Sequence, residues 1–294
     1  MALTNDPMQL AWADMSHAVK LVREGYTRLV FIGGAPGIGK SRQVIEDLRS
    51  YVQQEEALWA MIADENKREL AGRRTAITVE GQLVFVPPVH IIPGGDRNEI
   101  NLYMHLYQCS YPGEIGVLDD APAAAYKRPQ ELLNDACDEE RNGKVSMDRG
   151  HKILAACGVP TEYNFHGGLI LIHNYTQAEI NHIFHQRVRS RAYIVNFPTD
   201  PAILFRYVYE TGIKQKSLLP YLKALNNRAL GRNRGLGLSD AEAQQCLNDL
   251  DKFYFTFQER VPEHSFRLLR TIAMDWATDR VHWERRAKNR FRIR

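Results

Sequence analysis

Between the apolar run Leu29-Val30-Phe31-Ile32 and the amphipathic stretch from Gln43 to Tyr51, the chain reads Gly34-Ala35-Pro36-Gly37-Ile38-Gly39-Lys40-Ser41. These eight residues restrict the fold more than any other stretch. Their spacing matches G-x-x-x-x-G-K-[ST], a pattern whose glycines free the main chain to wrap a row of phosphates. The run before it predicts a parallel strand buried on both faces, and the stretch after it predicts a helix. The loop therefore falls at a strand-to-helix turn, where backbone N–H groups and a helix dipole converge on an anion. Lys40 is placed to reach the β- and γ-phosphates and the Ser41 hydroxyl to ligate Mg²⁺; the binding stretch is taken as Gly34 through Arg42.

Length allows one α/β domain with a smaller satellite, since the chain has 294 residues. The net charge of +3 says little about partners, so the distribution of charge has to carry that question. Four cysteines (Cys109, Cys137, Cys157, Cys246) lack C-x-x-C spacing and fit buried thiols in a reducing compartment. No signal-peptide pattern opens the chain and no apolar run approaches the length of a membrane span. These features predict a cytoplasmic protein with no membrane association.

A helix is expected over residues 8–24, with Gly25 closing it. It serves either to cover the base side of the loop or simply to pack the core. Further on, an apolar run at 58–63, a charged helix over 64–72 and a strand-rich stretch over 76–92 are expected, the last divided by Pro87-Pro88. A helix over 97–108 follows. Gly116-Val117-Leu118-Asp119-Asp120 is an apolar strand ending in two carboxylates: Asp119 is placed to hold Mg²⁺ through water and Asp120 to orient an attacking water. After a helix over 130–140, Asn142-Gly143 signals a hairpin turn, and with Val145, Met147, Tyr163 and Phe165 around it a β-hairpin insertion is expected. Arg141, Lys144, Arg149 and Lys152 around it are either polyanion contacts or a solvated surface.

Gly168 to Ile172 reads as a second buried parallel strand. It leads to Asn174, whose position at the strand's C-terminal edge suits sensing of a γ-phosphate. Thr176-Gln177-Ala178-Glu179 is a capping box. Arg187 and Arg191 share a face if the helix it opens continues. His182 and His185 have no carboxylate or cysteine at a ligand offset, which makes them surface or interface residues rather than metal ligands. A last strand spans 192–197. From Thr199 only helices are expected, near 201–211, 215–229, 239–260 and 262–276, with a basic connector at Gly231–Gly237. The last 15 residues carry seven Lys/Arg against one acid, a composition suited to nucleic acid or an acidic partner surface, or to a solvated helix.

In this order the motifs resemble the AAA+ ATPase family over most of the chain. The family's Walker A matches Gly34 to Ser41, Walker B matches Val117 to Asp120, and sensor 1 matches Asn174. Ser190-Arg191-Ala192 resembles the arginine-finger position, with Arg187 and Arg189 as alternates. Ser265-Phe266-Arg267 resembles the sensor 2 helix, with Arg270 as the rival to Arg267. The stretch from Leu132-Leu133-Asn134 through Lys144-Val145-Ser146 to Phe165-His166-Gly167-Gly168 is similar to phage and mobile-element members. The second Walker B residue is usually Glu, and here it is Asp120, one methylene shorter; the Asp-Asp ending also resembles signalling ATPases of the STAND class.

The resemblance implies a P-loop NTPase αβα sandwich with a central parallel sheet and a smaller all-helical lid. The implied organisation is an N-terminal helix (1–24), the ATPase domain (25–198), the lid (199–278) and a basic tail (279–294). It also implies ATP and Mg²⁺ as cofactors and a homo-oligomer, ring or filament, in which Arg191 of one copy completes the site of the next. Two outputs follow. One is a DNA transaction (replication, recombination or helicase loading), as in helicase loaders and transposition ATPases; the other is a nucleotide-gated remodeller or switch that docks an acidic protein.

Overall fold

The structure, a computed structural model, describes residues 6–61, 76–79, 82–93, 99–120, 126–148, 150–224, 238–261 and 263–290. Helix α1 (Pro7–Arg23) starts where the Asp6 carboxylate accepts the Met8 N–H at 2.9 Å, with Pro7 in the first turn. Strand β1 (Leu29–Gly33) is buried throughout. Helix α2 (Lys40–Met61) runs ten residues past its expected end at Tyr51, because no glycine or proline interrupts it. Strands β2 (Ala76–Val79) and β3 (Gln82–Phe85) form an antiparallel ribbon, and β4 (Val89–Pro93) begins immediately after the two prolines. The charged helix expected over 64–72 lies outside the described residues.

The first unit continues with α3 (Glu99–Gln108), β5 (Ile115–Asp119), α4 (Lys127–Ala136), β6 (Lys144–Ser146), α5 (His151–Ala156) and β7 (Glu162–Asn164). It ends with β8 (Gly168–Ile172), α6 (Gln177–Ile183), α7 (Gln186–Arg189) and β9 (Ala192–Asn196). The main sheet has the order β4-β5-β8-β1-β9, parallel at every pairing. Alternate residues of its strands serve opposite faces. Leu29, Phe31, Leu169 and Leu171 join Leu102, Tyr103 and Leu106 of α3 and Leu132, Leu133 and Ala136 of α4 in one core. The intervening Val30, Ile32, Ile170 and Ile172 are equally buried, on the side where α1 packs against β1, β8, β9 and α2. Three layers result, and α1 is part of the core packing.

Two expectations are corrected here. Asn142-Gly143 is not the tip of a hairpin: both residues have positive φ (55° and 64°), but they turn the chain out of α4 into β6. The expected antiparallel pairing of these segments is present, with Val145 of β6 opposite Tyr163 of β7, but the chain joins them through the intervening α5 and not through Asn142-Gly143. The helix opened by the Thr176 capping box also does not continue to Arg191. It stops at Phe184, whose extended backbone (ψ 135°) sends a buried ring against Phe31, 4.7 Å between centroids. Gln130 secures the break, donating to the Ile183 carbonyl at 3.0 Å and accepting the His185 N–H at 2.7 Å.

The chain divides into two compact units, residues 1–35 with 40–197, and residues 36–39 with 198–294. Within its described residues the second unit holds helices only: α8 (Pro201–Tyr209), a π turn (Glu210–Lys214), α9 (Leu219–Lys223), α10 (Asp240–Phe257), a 3₁₀ turn (Gln258–Arg260), α11 (Phe266–Thr278) and α12 (Trp283–Arg290). The connector at 231–237 lies outside the described residues. Ser239 and Glu242 form the expected capping box of α10. The stretch expected as a tail contains α12, because Trp283 and Ala287, four apart, present one apolar face to the core of Leu250, Phe253, Leu269 and Ile272.

Candidate nucleotide site

Strand β8 lies between β1 and β5, so the segments leaving these three strand ends stand side by side. Asp119 sits opposite Ile172, and Ile172 opposite Ile32. The glycine-rich loop, Asn174 and the two aspartates thereby meet at one edge of the sheet. Gly34, Gly37 and Gly39 have φ of 121°, 70° and 107°, which side chains rarely adopt. A Cβ on Gly34 would also fall 2.6 Å from the Phe197 Cβ.

Lys40 is buried, and its Nζ donates to the Gly34 carbonyl at 2.8 Å, the Ala35 carbonyl at 2.7 Å and Asn174 Oδ1 at 3.4 Å. No carboxylate of the described residues is within ion-pair distance of it. Burial pulls its pKa down to about 8, against the opposing pull of Asp119 and Asp120. Ser41 Oγ donates to Asp119 Oδ1 at 2.6 Å. Asn174 Nδ2 donates to Asp120 Oδ1 at 3.4 Å, so Asn174 bridges the lysine and the second aspartate. Asp120 is exposed and sits in the left-handed region (φ 53°), held there by its N–H to the Ile172 carbonyl at 2.9 Å. Such a conformation is tolerated by Asp more readily than by most residues. Arg42 is exposed on the first turn of α2.

The donor set fits a magnesium nucleoside triphosphate. The loop and the first turn of α2 offer main-chain N–H groups and a cation to phosphate oxygens. Ser41 and Asp119 offer adjacent hard oxygens of the kind Mg²⁺ prefers. When bound, the metal would supply charge neutralisation to the phosphates.

Sequence reasoning passed over His173. Its ring is 5% exposed, and Nδ1 accepts the Tyr175 N–H at 3.2 Å. Cε1 lies 2.8 Å from where a Cβ on Gly33 would fall. Burial first, then the charge of Lys40, lowers its pKa to about 4, which keeps it neutral beside the lysine. A histidine next to Asn174 is visible in the sequence, but nothing there marks it as buried.

The arginines separate by what holds them. Arg191 donates to Asn134 Oδ1 at 2.8 Å, to the Arg187 carbonyl at 3.0 Å and to Asp138 Oδ2 at 3.1 Å. Arg189 donates to the Phe184 carbonyl at 3.1 Å and Asn181 Oδ1 at 2.8 Å. Arg187 is exposed, and its side chain has no partner among the described residues. In the second unit, Arg267 is likewise exposed on the first turn of α11, whereas Arg270 lies over the Tyr221 ring at 4.9 Å. Gly37 groups with that unit, its carbonyl accepting the Phe266 N–H at 3.0 Å.

No family model matches the sequence, and neither does any curated protein. Solved structures with some likeness include the RuvB Holliday junction branch migration motor of Thermotoga maritima, at 11% identity over 91% of this chain and 68% of that one, TM-score 0.37. Domain III of the replication initiation protein DnaA from Thermotoga maritima matches at 14% identity over 98% and 88%, TM-score 0.37. NtrX from Brucella abortus, in complex with ATP, matches at 12% identity over 99% and 61%, TM-score 0.41. The class follows from the strand order of the sheet and the glycine-rich loop between β1 and α2. The protein is an α/β P-loop αβα sandwich with a central parallel sheet, followed by a smaller all-helical unit. Among the described residues no helix is long and apolar enough to cross a membrane.

Proposed function

We propose that the protein is an AAA+ ATPase that hydrolyses ATP at interfaces between copies of itself, driving the assembly or remodelling of a DNA transaction such as replication, recombination or helicase loading. The observation that carries this reading is the row Lys40–Asn174–Asp120 beside Ser41–Asp119, drawn from three strand ends onto one edge. In it Lys40 binds the β- and γ-phosphates, and Ser41 and Asp119 hold Mg²⁺. Asp120 orients the attacking water as Asn174 fixes its carboxylate, and the loop from Gly34 through Arg42 cradles the phosphates. An arginine of a neighbouring copy, from the set Arg187, Arg189 and Arg191, stabilises charge on the transferring phosphoryl group. Such a residue is worth roughly 10³–10⁵ in rate, so turnover should rise steeply with assembly. Arg267, whose side chain is without a partner among the described residues, is the sensor of the helical unit.

A second reading, a nucleotide-gated remodeller or switch with no nucleic-acid role, is favoured by one observation: Arg286 and Lys288 of α12, and Arg280 just before it, are engaged within their own unit and leave less charge for DNA. ATPase rate measured against protein concentration, with and without DNA, separates the two. DNA-stimulated, salt-sensitive turnover supports the first. Assembly driven by nucleotide but indifferent to DNA supports the second. A strictly monomeric protein that hydrolyses ATP at full rate would sink both.

A further inference from the structure

Three segments close on Gly33, the last residue of β1, where the phosphate loop begins. A Cβ there would fall 2.7 Å from the Tyr175 carbonyl oxygen, 2.8 Å from His173 Cε1 and 3.0 Å from Asn196 Oδ1. The same Tyr175 carbonyl accepts the Gly34 N–H at 3.0 Å, and the Tyr175 N–H donates to His173 Nδ1 at 3.2 Å. His173 therefore holds Tyr175, Tyr175 holds Gly34, and the Gly34 carbonyl accepts from Lys40 Nζ at 2.8 Å. Phe31, Tyr175 and Phe184, with ring centroids 6.0, 5.3 and 6.1 Å from that of His173, pack around the imidazole.

The second ring nitrogen has a counterpart across the same glycine. Burial and the charge of Lys40 keep the ring neutral, and Nδ1 is an acceptor, so the ring proton sits on Nε2. That N–H is buried with no hydrogen-bond partner among the described residues, and so is Asn196 Oδ1. Asn196 lies opposite Gly33 in the β1–β9 register, and its Nδ2 donates to Gln177 Oε1, which turns Oδ1 towards Gly33. A buried donor and a buried acceptor bordering one residue are the groups that a single internal water satisfies. We infer that His173 is a positioning residue for the phosphate loop: its ring fixes Gly33 and Gly34 through the Tyr175 main chain and through an internal water shared with Asn196. The inference rests on the function proposed above only in reading this loop as the one that binds phosphate.

Amide hydrogen exchange of residues 33–35 in the nucleotide-free, full-length protein reads the loop directly. His173→Phe keeps an aromatic ring and removes both nitrogens. It should speed that exchange at least about tenfold while exchange in β5 stays as in the wild type. His173→Asn places an amide oxygen near the position of Nδ1, and His173→Gln an amide nitrogen near that of Nε2. Each should restore part of the protection, and the Gln rescue should vanish when Asn196→Ala is added. A merely structural role would move β5 exchange and thermal melting together with the loop and show no rescue, which would overturn the inference. So would loop exchange in His173→Phe within about twofold of the wild type. Should His173→Phe not fold, Asn196→Ala decides: faster exchange at 33–35 alone supports the shared water, and wild-type exchange overturns it. Inorganic tripolyphosphate titrated calorimetrically into the wild type reads the other premise: no binding there sinks the function proposed above, while exchange still decides the role of His173.

Discussion

The phosphate loop and helix α12 are both basic in sequence, and they use their charge in opposite ways. At the loop a single ammonium, Lys40, is buried against two carbonyls with no carboxylate of the described residues in ion-pair range. Along α12 and the turn before it the cations are more numerous, but Arg286 pairs with Asp279, Arg280 of the preceding turn with Glu242, and Lys288 lies over the Phe257 ring at 4.5 Å. A buried cation without a counter-charge is costly to keep, and an anionic ligand relieves the cost. Exposed cations with partners contribute little and attract little. Counting Lys and Arg therefore measures neither affinity nor location for an anion. The accessible, unpartnered charge does.

The largest effect that would sharpen this contrast is at the loop. Lys40→Ala is expected to lower nucleotide affinity and turnover by at least about 100-fold, checked by fluorescent-nucleotide titration. Affinity in the wild type should also fall about tenfold per pH unit above about 8, since the bound phosphates require the charged amine and binding then takes up a proton. A pH-independent affinity between 7 and 9.5 would break the comparison at this end.

At the other end, Trp283→Ala should destabilise the second unit by about 3–5 kcal/mol in urea unfolding, if α12 is there to complete a core. Near-neutral behaviour would return α12 to the status of a tail.

Next in size is acid sensitivity. His173 is neutral in the fold down to about pH 4, whereas the unfolded chain takes up the proton near 6.5. Between those values the unfolded state binds more protons, so stability falls as pH drops from about 6.5 to about 4, by up to ~3 kcal/mol. Urea midpoints against pH should show this slope and lose it in His173→Phe.

Arg191→Ala should cost about 2 kcal/mol, since it strands Asn134 and the mostly buried Asp138, while Arg187→Ala should stay within about 0.5 kcal/mol. Equal losses would contradict the division of the arginines. Smallest of all, Arg286→Ala should change stability by less than about 1 kcal/mol, and less still at high salt.

Much of this molecule was legible in one dimension. Apolar runs such as Leu29–Ile32 and Gly168–Ile172 announce strands buried on both faces, and capping boxes at Thr176 and Ser239 start helices where local hydrogen bonds require. The end of α2 and the break at Phe184 were not, because neither is local: α2 continues for want of a breaker, and the break exists because Phe184 finds Phe31 across the core. The burial of His173 and the reversal of the Asn142-Gly143 turn into β6 have the same origin, contacts between residues distant in the chain.

The sequence by itself determined that a strand, a glycine-rich loop and a helix follow one another with Lys40 and Ser41 at the turn, since glycine freedom and apolar patterning act over a few neighbours. Only the tertiary structure decided that β8 would lie between β1 and β5, setting Asn174 between Lys40 and Asp120, and which arginines would be held by their own chain. Strand order and ion pairing are settled by what packs across the sheet, and residues far apart in sequence carry no local mark of meeting there.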